Sequence, residues 1–320
     1  MPSKEKKAIV VAEKVSKKFG SFAALSDISI YILENEVFGL LGPNGAGKST
    51  LSKILMGMMD ADSGNVRFFG ADLKKQHSLI KGKVAIVPQD IAAFYSFSVK
   101  QNLDFFGTLY GIKGQELKKR REYLLEWLQL KQFENRKVEN LSGGYQRLLN
   151  IACSLVHDPR VIFFDEPTVG LDPKMRKLFW EIIETLKDDG KTICITTHYM
   201  DEAEHLCDRV GIINQGKLLV CESPKKLIEE YGGFKVLVVM LEKIPESDFV
   251  EALKRILIGS EVTSLGNAIV IALSQEHSLE KISMITDFIN AKGYEIKSST
   301  LREPELEDVF INLTGRKLKD

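Results

Sequence analysis

No apolar run in this chain approaches the ~20 residues a helix needs to cross a bilayer. Neither sign of charge dominates it: 44 Lys and Arg balance 44 Asp and Glu. The first absence means that any work at a membrane goes through a partner. The second removes the net positive field expected of a general nucleic-acid or acidic-membrane binder. Cysteine is scarce. Cys153, Cys194, Cys207 and Cys221 are the whole set, and no two form a CxxC pair. That argues against a structural zinc site and fits a reduced, intracellular protein. The opening stretch MPSKEKKAIVVAEK is basic but holds no apolar segment long enough for a signal peptide. Apolar residues are plentiful, at 44% of 320, enough for one large domain and a small one.

Short apolar runs alternate with helical patterns up to about residue 222. Candidate strands are Val37–Leu41, Val84–Val87, Val161–Phe164, Thr192–Thr196 and Val210–Ile213. Between the later ones, Met175, Leu178, Phe179, Ile182, Ile183 and Leu186 share one helical face. Buried strands alternating with amphipathic helices imply an α/β fold with a mostly parallel sheet. Residues 98–140 break the rhythm and read as helices only, for example Gln115–Leu130 with Leu117, Leu124 and Leu128 on one side. A helical insert over about 96–158 is expected. Ser223, Pro224 and Gly232 then mark the cap, first turn and stop of a closing helix. Beyond it the order is strand (Phe234–Leu241), helix (Glu246–Leu257), two strands (Glu261–Leu265 and Ala268–Leu273) about a Gly266-Asn267 turn, helix (Leu279–Ala291) and strand (Tyr294–Thr300). This is the βαββαβ, split-βαβ order; a last helix, Glu303–Leu313, follows it. The expected division is residues 1–232 and an α+β accessory domain at 233–320.

GPNGAGKST, residues 42–50, follows a strand and opens a helix. It fits G-x-x-x-x-G-K-[ST], a phosphate-binding P-loop. Its glycines, Gly42, Gly45 and Gly47, would let consecutive backbone N–H groups point inward at a phosphate, Pro43, Asn44 and Ala46 complete the loop, and the helix N-terminus adds its dipole. Lys48 would reach the β- and γ-phosphates, Ser49 would offer a hydroxyl to Mg²⁺, and Thr50 completes the motif. The acids Asp165 and Glu166 close the apolar run Val161–Phe164, and a buried carboxylate is costly unless something pairs with it. In a P-loop fold the strand carrying Asp165 is expected beside the P-loop strand, its carboxylate holding Mg²⁺ on the triphosphate. Glu166 then either polarises the attacking water as general base or caps the turn before Pro167.

With these residues placed, five further stretches match one family. Residues ~8 to ~230 resemble the ATP-binding subunit of ABC transporters, a P-loop ATPase with a helical insert. LSGGYQR, residues 141–147, looks like the ABC signature, which implies that Ser142, Gly143 and Gly144 meet a γ-phosphate. IVPQD resembles the Q-loop, with Gln89 at Mg²⁺ and the lytic water. TVGLDP resembles the D-loop, with Asp172 at the dimer seam. ITTHYMDEAE resembles the H-loop, with His198 contacting the γ-phosphate and orienting Glu166. Phe19, in VSKKFG, stands where the family stacks an aromatic on adenine. Tyr145 departs from the signature's frequent Gln and is expected to alter packing at the seam.

The resemblance is closest to ATPases of drug-, sodium- and polymer-exporting systems, and the tail EPELEDVFINLTG is similar to the ending of the daunorubicin-exporter class. It implies ATP and Mg²⁺, a polytopic membrane permease, and a second ATPase subunit: a homodimer, or else a heterodimer, with Ser142, Gly143, Gly144 and Asp172 acting in trans. The implied location is the cytoplasmic face of the membrane; no nucleic acid is expected. The rival functions are import and soluble ABC ATPases acting on ribosomes or DNA. The last are disfavoured because the chain carries one ATPase domain and no long coiled coil between Lys48 and Asp165. An unrelated P-loop kinase or GTPase is disfavoured by LSGG with His198. Two stretches stay open. Phe94, Tyr95 and Phe97 either form a groove for a membrane partner or root the insert. The run Lys118–Arg121 is either a solvated face or a lipid-headgroup contact. Because every nucleotide motif precedes Gly232, a chain cut there is expected to fold and bind ATP.

Overall fold

The computed structural model describes residues 7–76, 80–257, 259–273 and 278–314. The first six residues of the basic opening and Gly315 of the tail motif lie outside the described residues.

Three sheets organise the chain. The first joins β1 (Ala8–Phe19), β2 (Phe22–Leu33), β4 (Ser63–Phe68) and β5 (Ala71–Asp72), in the order β2-β1-β4-β5, all antiparallel. The sequence reading had no strand here, although the signal is present. In DISIYIL, Ile28, Ile30 and Ile32 are buried while Asp27, Ser29 and Tyr31 face outward, the period-2 alternation of a one-sided strand.

The second sheet carries the chemistry. Its strands are β3 (Val37–Leu41), β6 (Val84–Val87), β7 (Val161–Asp165), β8 (Thr192–Thr197), β9 (Arg209–Asn214) and β10 (Lys217–Glu222), in the order β10-β9-β3-β8-β7-β6. All neighbours run parallel except the β9–β10 pair. One expectation is corrected: β7, which carries Asp165, does not lie beside the P-loop strand β3. β8 runs between them and pairs with both. The acids still reach the P-loop edge, because parallel strands end together and Thr196 stands opposite Asp165 in register.

The expected helices form, three of them with side-chain caps. α1 (Lys48–Leu55) leaves the P-loop. The insert holds α2 (Val99–Leu109) and α3 (Gly114–Trp127), and α4 (Gly143–Leu155) follows the LSGG residues. Ser98 and Gln101 close a capping box on α2. α5 (Pro173–Asp188) starts with Asp172 as cap and Pro173 in its first turn. α6 (Met200–Leu206) follows His198, and α7 (Pro224–Tyr231) is capped by Ser223. The run Lys118–Arg121 is not a wholly solvated face. Arg121 is buried and pairs with Asp104, and an Arg120 nitrogen donates to Leu155 O at 2.9 Å; only Lys118 and Lys119 are exposed. The two arginines pin α3 to α2 and α4.

The third sheet takes the order β12-β13-β11-β14, from β11 (Lys235–Leu241), β12 (Glu261–Leu265), β13 (Ala268–Leu273) and β14 (Ile296–Arg302). α8 (Ser247–Ile256) and α9 (Ser278–Ala291) cover one face, burying Phe249, Leu253, Ile285 and Ile289 against Leu237, Val239 and Ile271. This is the split-βαβ arrangement read from the sequence. The final helix, α10 (Leu306–Thr314), leaves that unit. Leu306, Val309 and Phe310 sit in one core cluster with Ala203 and Leu206 of α6 and Leu227 of α7. Asn312 donates to Tyr231 O at 2.8 Å, and Leu306 N donates to Glu204 at 3.1 Å. Arg302 forks onto Asp308 at 2.6 and 2.8 Å, fixing the turn that sends α10 back.

A chain cut after Gly232 would therefore lose three buried side chains from the nucleotide-motif half. Phe310→Ala should destabilise that half by about 3–5 kcal/mol. Both tryptophans, Trp127 and Trp180, lie in it, so their fluorescence reports its denaturant midpoint. An unchanged midpoint would show that α10 contributes nothing there.

Candidate functional site

The P-loop leaves β3 at Gly42, where a Cβ would sit 2.2 Å from Ile213 O. Gly47 has φ +108°, and a Cβ there would meet Ala24 O at 2.7 Å. Both positions need glycine, and both let the loop close tightly over the start of α1. Lys48 is 4% exposed. Its Nζ donates to Gly42 O at 2.7 Å and Pro43 O at 3.1 Å, and lies 3.7 Å from Glu166 Oε1. Burial lowers its pKa, while Glu166 and Asp165 pull it back up. The amine is thus held over the loop between backbone oxygens and an acid, within reach of an anion seated in the cradle.

One hydroxyl organises the two acids. Thr196 Oγ1 donates to Asp165 Oδ1 at 2.6 Å and accepts from Glu166 N at 3.0 Å. Glu166 leaves strand geometry with φ +44°, a conformation that strains a residue with a side chain by roughly 1–2 kcal/mol. Its carboxylate lies between Lys48 and His198, whose Nδ1 is 3.6 Å from Glu166 Oε2 and makes no hydrogen bond. Asp165, bonded to Thr196, is left with its other oxygen for a further partner.

The sequence reading missed the residues that tie this edge to the insert. Arg147 is buried and donates to Pro88 O at 3.1 Å, to Gln89 O, and to Glu166 O at 3.4 Å. Asn150 accepts from Ala92 N at 2.9 Å and donates to Pro88 O at 3.1 Å; Ser154 donates to Ile86 O at 2.8 Å. Arg147, Asn150 and Ser154 follow helical spacing along α4, whose remaining inner face is apolar. That polar stripe was the available signal.

The other predicted residues fall at separate places. Gln89 is exposed at the end of β6. Ser142 caps α4 without bonding a helix N–H, so its hydroxyl is free for a ligand. It lines a cleft of about 640 Å³ with Gly143, Gly144 and Asp172, and no P-loop residue lines that cleft. Asp172 accepts from Met175 N at 2.9 Å as the cap of α5. Tyr145 packs inside its own chain on Phe133, ring centroids 4.5 Å apart. Phe19 is 49% exposed at the β1–β2 turn, with Lys17 Nζ 5.9 Å from its ring centre.

The residues present fit a nucleoside triphosphate and Mg²⁺. The cradle has no room for Cβ atoms at Gly42 and Gly47, and a cation closes over it. The side-chain oxygens of Ser49 and Asp165, and that of Gln89 farther out, are of the type that suits a hard ion held partly by phosphate. Such a loop on such a sheet defines a P-loop nucleotide-binding protein.

Comparison with known proteins narrows the class. The family model described as ABC transporter matches residues 25–169. The chain is 37% identical to the linearmycin resistance ATP-binding protein LnrL of Bacillus subtilis, over 97% of this chain and 99% of that one. It is 35% identical to the Nod factor export ATP-binding protein I of Sinorhizobium fredii, over 96% and 86% respectively. The solved structure of cbiO1 from Clostridium perfringens, part of the ABC transporter complex cbiONQ, superposes with a TM-score of 0.65 at 29% identity, covering 71% of this chain and 92% of that one. This chain belongs to the ATP-binding subunits of ABC transporters. Among the described residues no helix is long and apolar enough to cross a membrane.

Thr196→Val keeps the shape of the side chain and removes the hydroxyl shared by both acids. It should lower steady-state ATP turnover about tenfold or more while leaving the thermal midpoint near the parental value. Parental turnover would show that the acids need no such tie.

Proposed function

We propose that this chain is the motor of an exporter: an ATPase that works as a dimer beneath a polytopic membrane permease, at the cytoplasmic face. The observation that carries the chemistry is the seating of Glu166, 3.7 Å from Lys48 and 3.6 Å from His198. A carboxylate held there acts as general base toward water attacking the γ-phosphate. His198 orients it, and Lys48 neutralises charge on the β- and γ-phosphates. Ser49, Asp165 and Gln89 would hold Mg²⁺, which supplies charge neutralisation along the triphosphate. Gly42–Thr50 bind the phosphates through backbone N–H groups and hydroxyls, and Phe19 stacks on the base. Arg147 carries the position of the Gln89 backbone to Glu166.

Ser142, Gly143, Gly144 and Asp172 serve the partner subunit's nucleotide. Their cleft lies apart from the P-loop of the same chain, and the Ser142 hydroxyl has no role in its own helix cap. A second copy presenting that helix N-terminus covers the exposed side of the γ-phosphate. Tyr145, packed on Phe133, braces the signature helix from within.

The name of one set of relatives, Nod factor export, supports export over import, and the tail Glu303–Gly315 supports placement in the daunorubicin-exporter class. Phe94, Phe97 and Phe105 form an exposed aromatic cluster, with Phe94 to Phe97 and Phe105 centroids at 5.2 and 4.9 Å. Because it follows the Gln89 segment directly, we assign it to the permease contact. The working division is an ATPase domain over 1–232, completed by α10, and an accessory domain over the rest of 233–320.

Glu166→Gln should retain Mg-ATP binding, slow hydrolysis by ~10²–10⁴, and accumulate an ATP-bound dimer on size exclusion. Hydrolysis at the parental rate would reject Glu166 as the base. Mixing Lys48→Ala chains with Ser142→Arg chains tests the shared site: each variant alone breaks both sites, and the mixed dimer regains one intact pair. Cysteines placed at Ser49 and Ser142 should crosslink between chains, and only with ATP. An intrachain link would show that Ser142 acts in cis.

A further inference from the structure

Glu202 lies four residues after His198, in the first turn of α6, and is fully buried. Neither carboxyl oxygen has a hydrogen bond or an ion pair closed upon it, and neither does the buried hydroxyl of Thr168. The hydroxyls of Thr197 and Thr168 and the charges of Arg176 and Asp201 act on the carboxyl, which in turn acts on the Cys207 thiol. Thr168 belongs to the loop that carries Asp172. Thr197 ends β8, immediately before His198, and its hydroxyl accepts from Tyr199 N at 3.0 Å. Two hydroxyls from separate segments thus act on one buried acid in the turn after His198.

Buried polar atoms left unpaired are expensive, and a fold that keeps several together keeps them for one another. Desolvation raises the pKa of Glu202, against the smaller opposing pull of the two hydroxyls and Arg176. In the neutral form a carboxylic acid both donates and accepts, which two hydroxyls on different segments can use at once.

We propose that Glu202 is a positioning residue for ATP hydrolysis: its carboxyl, set between Thr168 and Thr197, locks the Asp172 loop to the turn bearing His198, so that His198 is aimed at Glu166 only when that loop is in place. Glu202 touches neither nucleotide nor Glu166. It acts through the backbone on both sides of it, and passes the position of a loop that faces the partner subunit to the histidine of its own site. This rests on the roles proposed above for His198 and Glu166.

The full chain is assayed for steady-state Mg-ATP turnover, with binding of Mg-ATP and thermal midpoints measured in parallel. Glu202→Leu fills the pocket without polar atoms. It should lower kcat about tenfold or more with KM and affinity unchanged. Glu202→Gln, neutral and of the same shape, should keep kcat within about threefold of the parent. Thr168→Val should lower kcat as Glu202→Leu does, and the double variant should fall no further than Glu202→Leu alone, since both remove one link. Parental kcat in Glu202→Leu, equal losses in the Gln and Leu variants, or multiplying losses in the double variant would each overturn the proposal. Should Glu202→Leu not fold, Thr168→Val decides: parental kcat there overturns the link, and a loss restricted to kcat upholds it. Failure of the underlying reading looks different: Glu166→Gln would then hydrolyse ATP at the parental rate, whatever the Glu202 and Thr168 variants do.

Discussion

The constraint on which this molecule turns is a buried amine that must stay charged. Lys48 is buried against the P-loop, and desolvation works against its proton. Two acids at the edge of the same sheet pull the other way, and they are the pair to which we assign the metal and the attacking water. Their separation of roles follows from one residue. Thr196 bonds the Asp165 carboxylate directly but takes only the backbone of Glu166, leaving the second carboxylate free to lie between Lys48 and His198. The strained backbone at Glu166 is what turns it there.

Much of this was legible in the sequence because it is local. P-loop residues must be consecutive to share one turn, and Asp165 and Glu166 must end an apolar strand. The βαββαβ unit was readable because each of its elements has a clean period and is bounded by turn residues. The order of strands was not. Nothing in residues 161–165 says which neighbour they take, and β8, a later segment, slips between β3 and β7. The antiparallel sheet of β1, β2, β4 and β5 shows in the sequence only as alternation, as at Ile28, Ile30 and Ile32, and lacks the continuous apolar runs that mark strands buried on both faces.

The supporting residues were the least visible. Arg147, Asn150, Ser154 and Thr196 act on backbone carbonyls and on a carboxylate brought near only by the fold. A polar stripe on the inner face of α4 announces that something polar lies opposite, but not what. Arg121 misled in the other direction: within a run of four cations it looks solvated, yet its partner Asp104, on the neighbouring helix, draws it inside.

The return of α10 to the first core also bears on the order in which the protein can be made. Leu306, Val309 and Phe310 close a wall that Ala203, Leu206 and Leu227 leave open. During synthesis the nucleotide-binding half emerges first, yet its wall is supplied by a helix translated only after the whole of the third sheet. Until then, apolar surface on α6 and α7 stays wet, beside the turn that carries His198. A nascent chain is thus exposed to aggregation on that side, and the ATPase half settles fully only after the accessory unit has emerged and folded behind it.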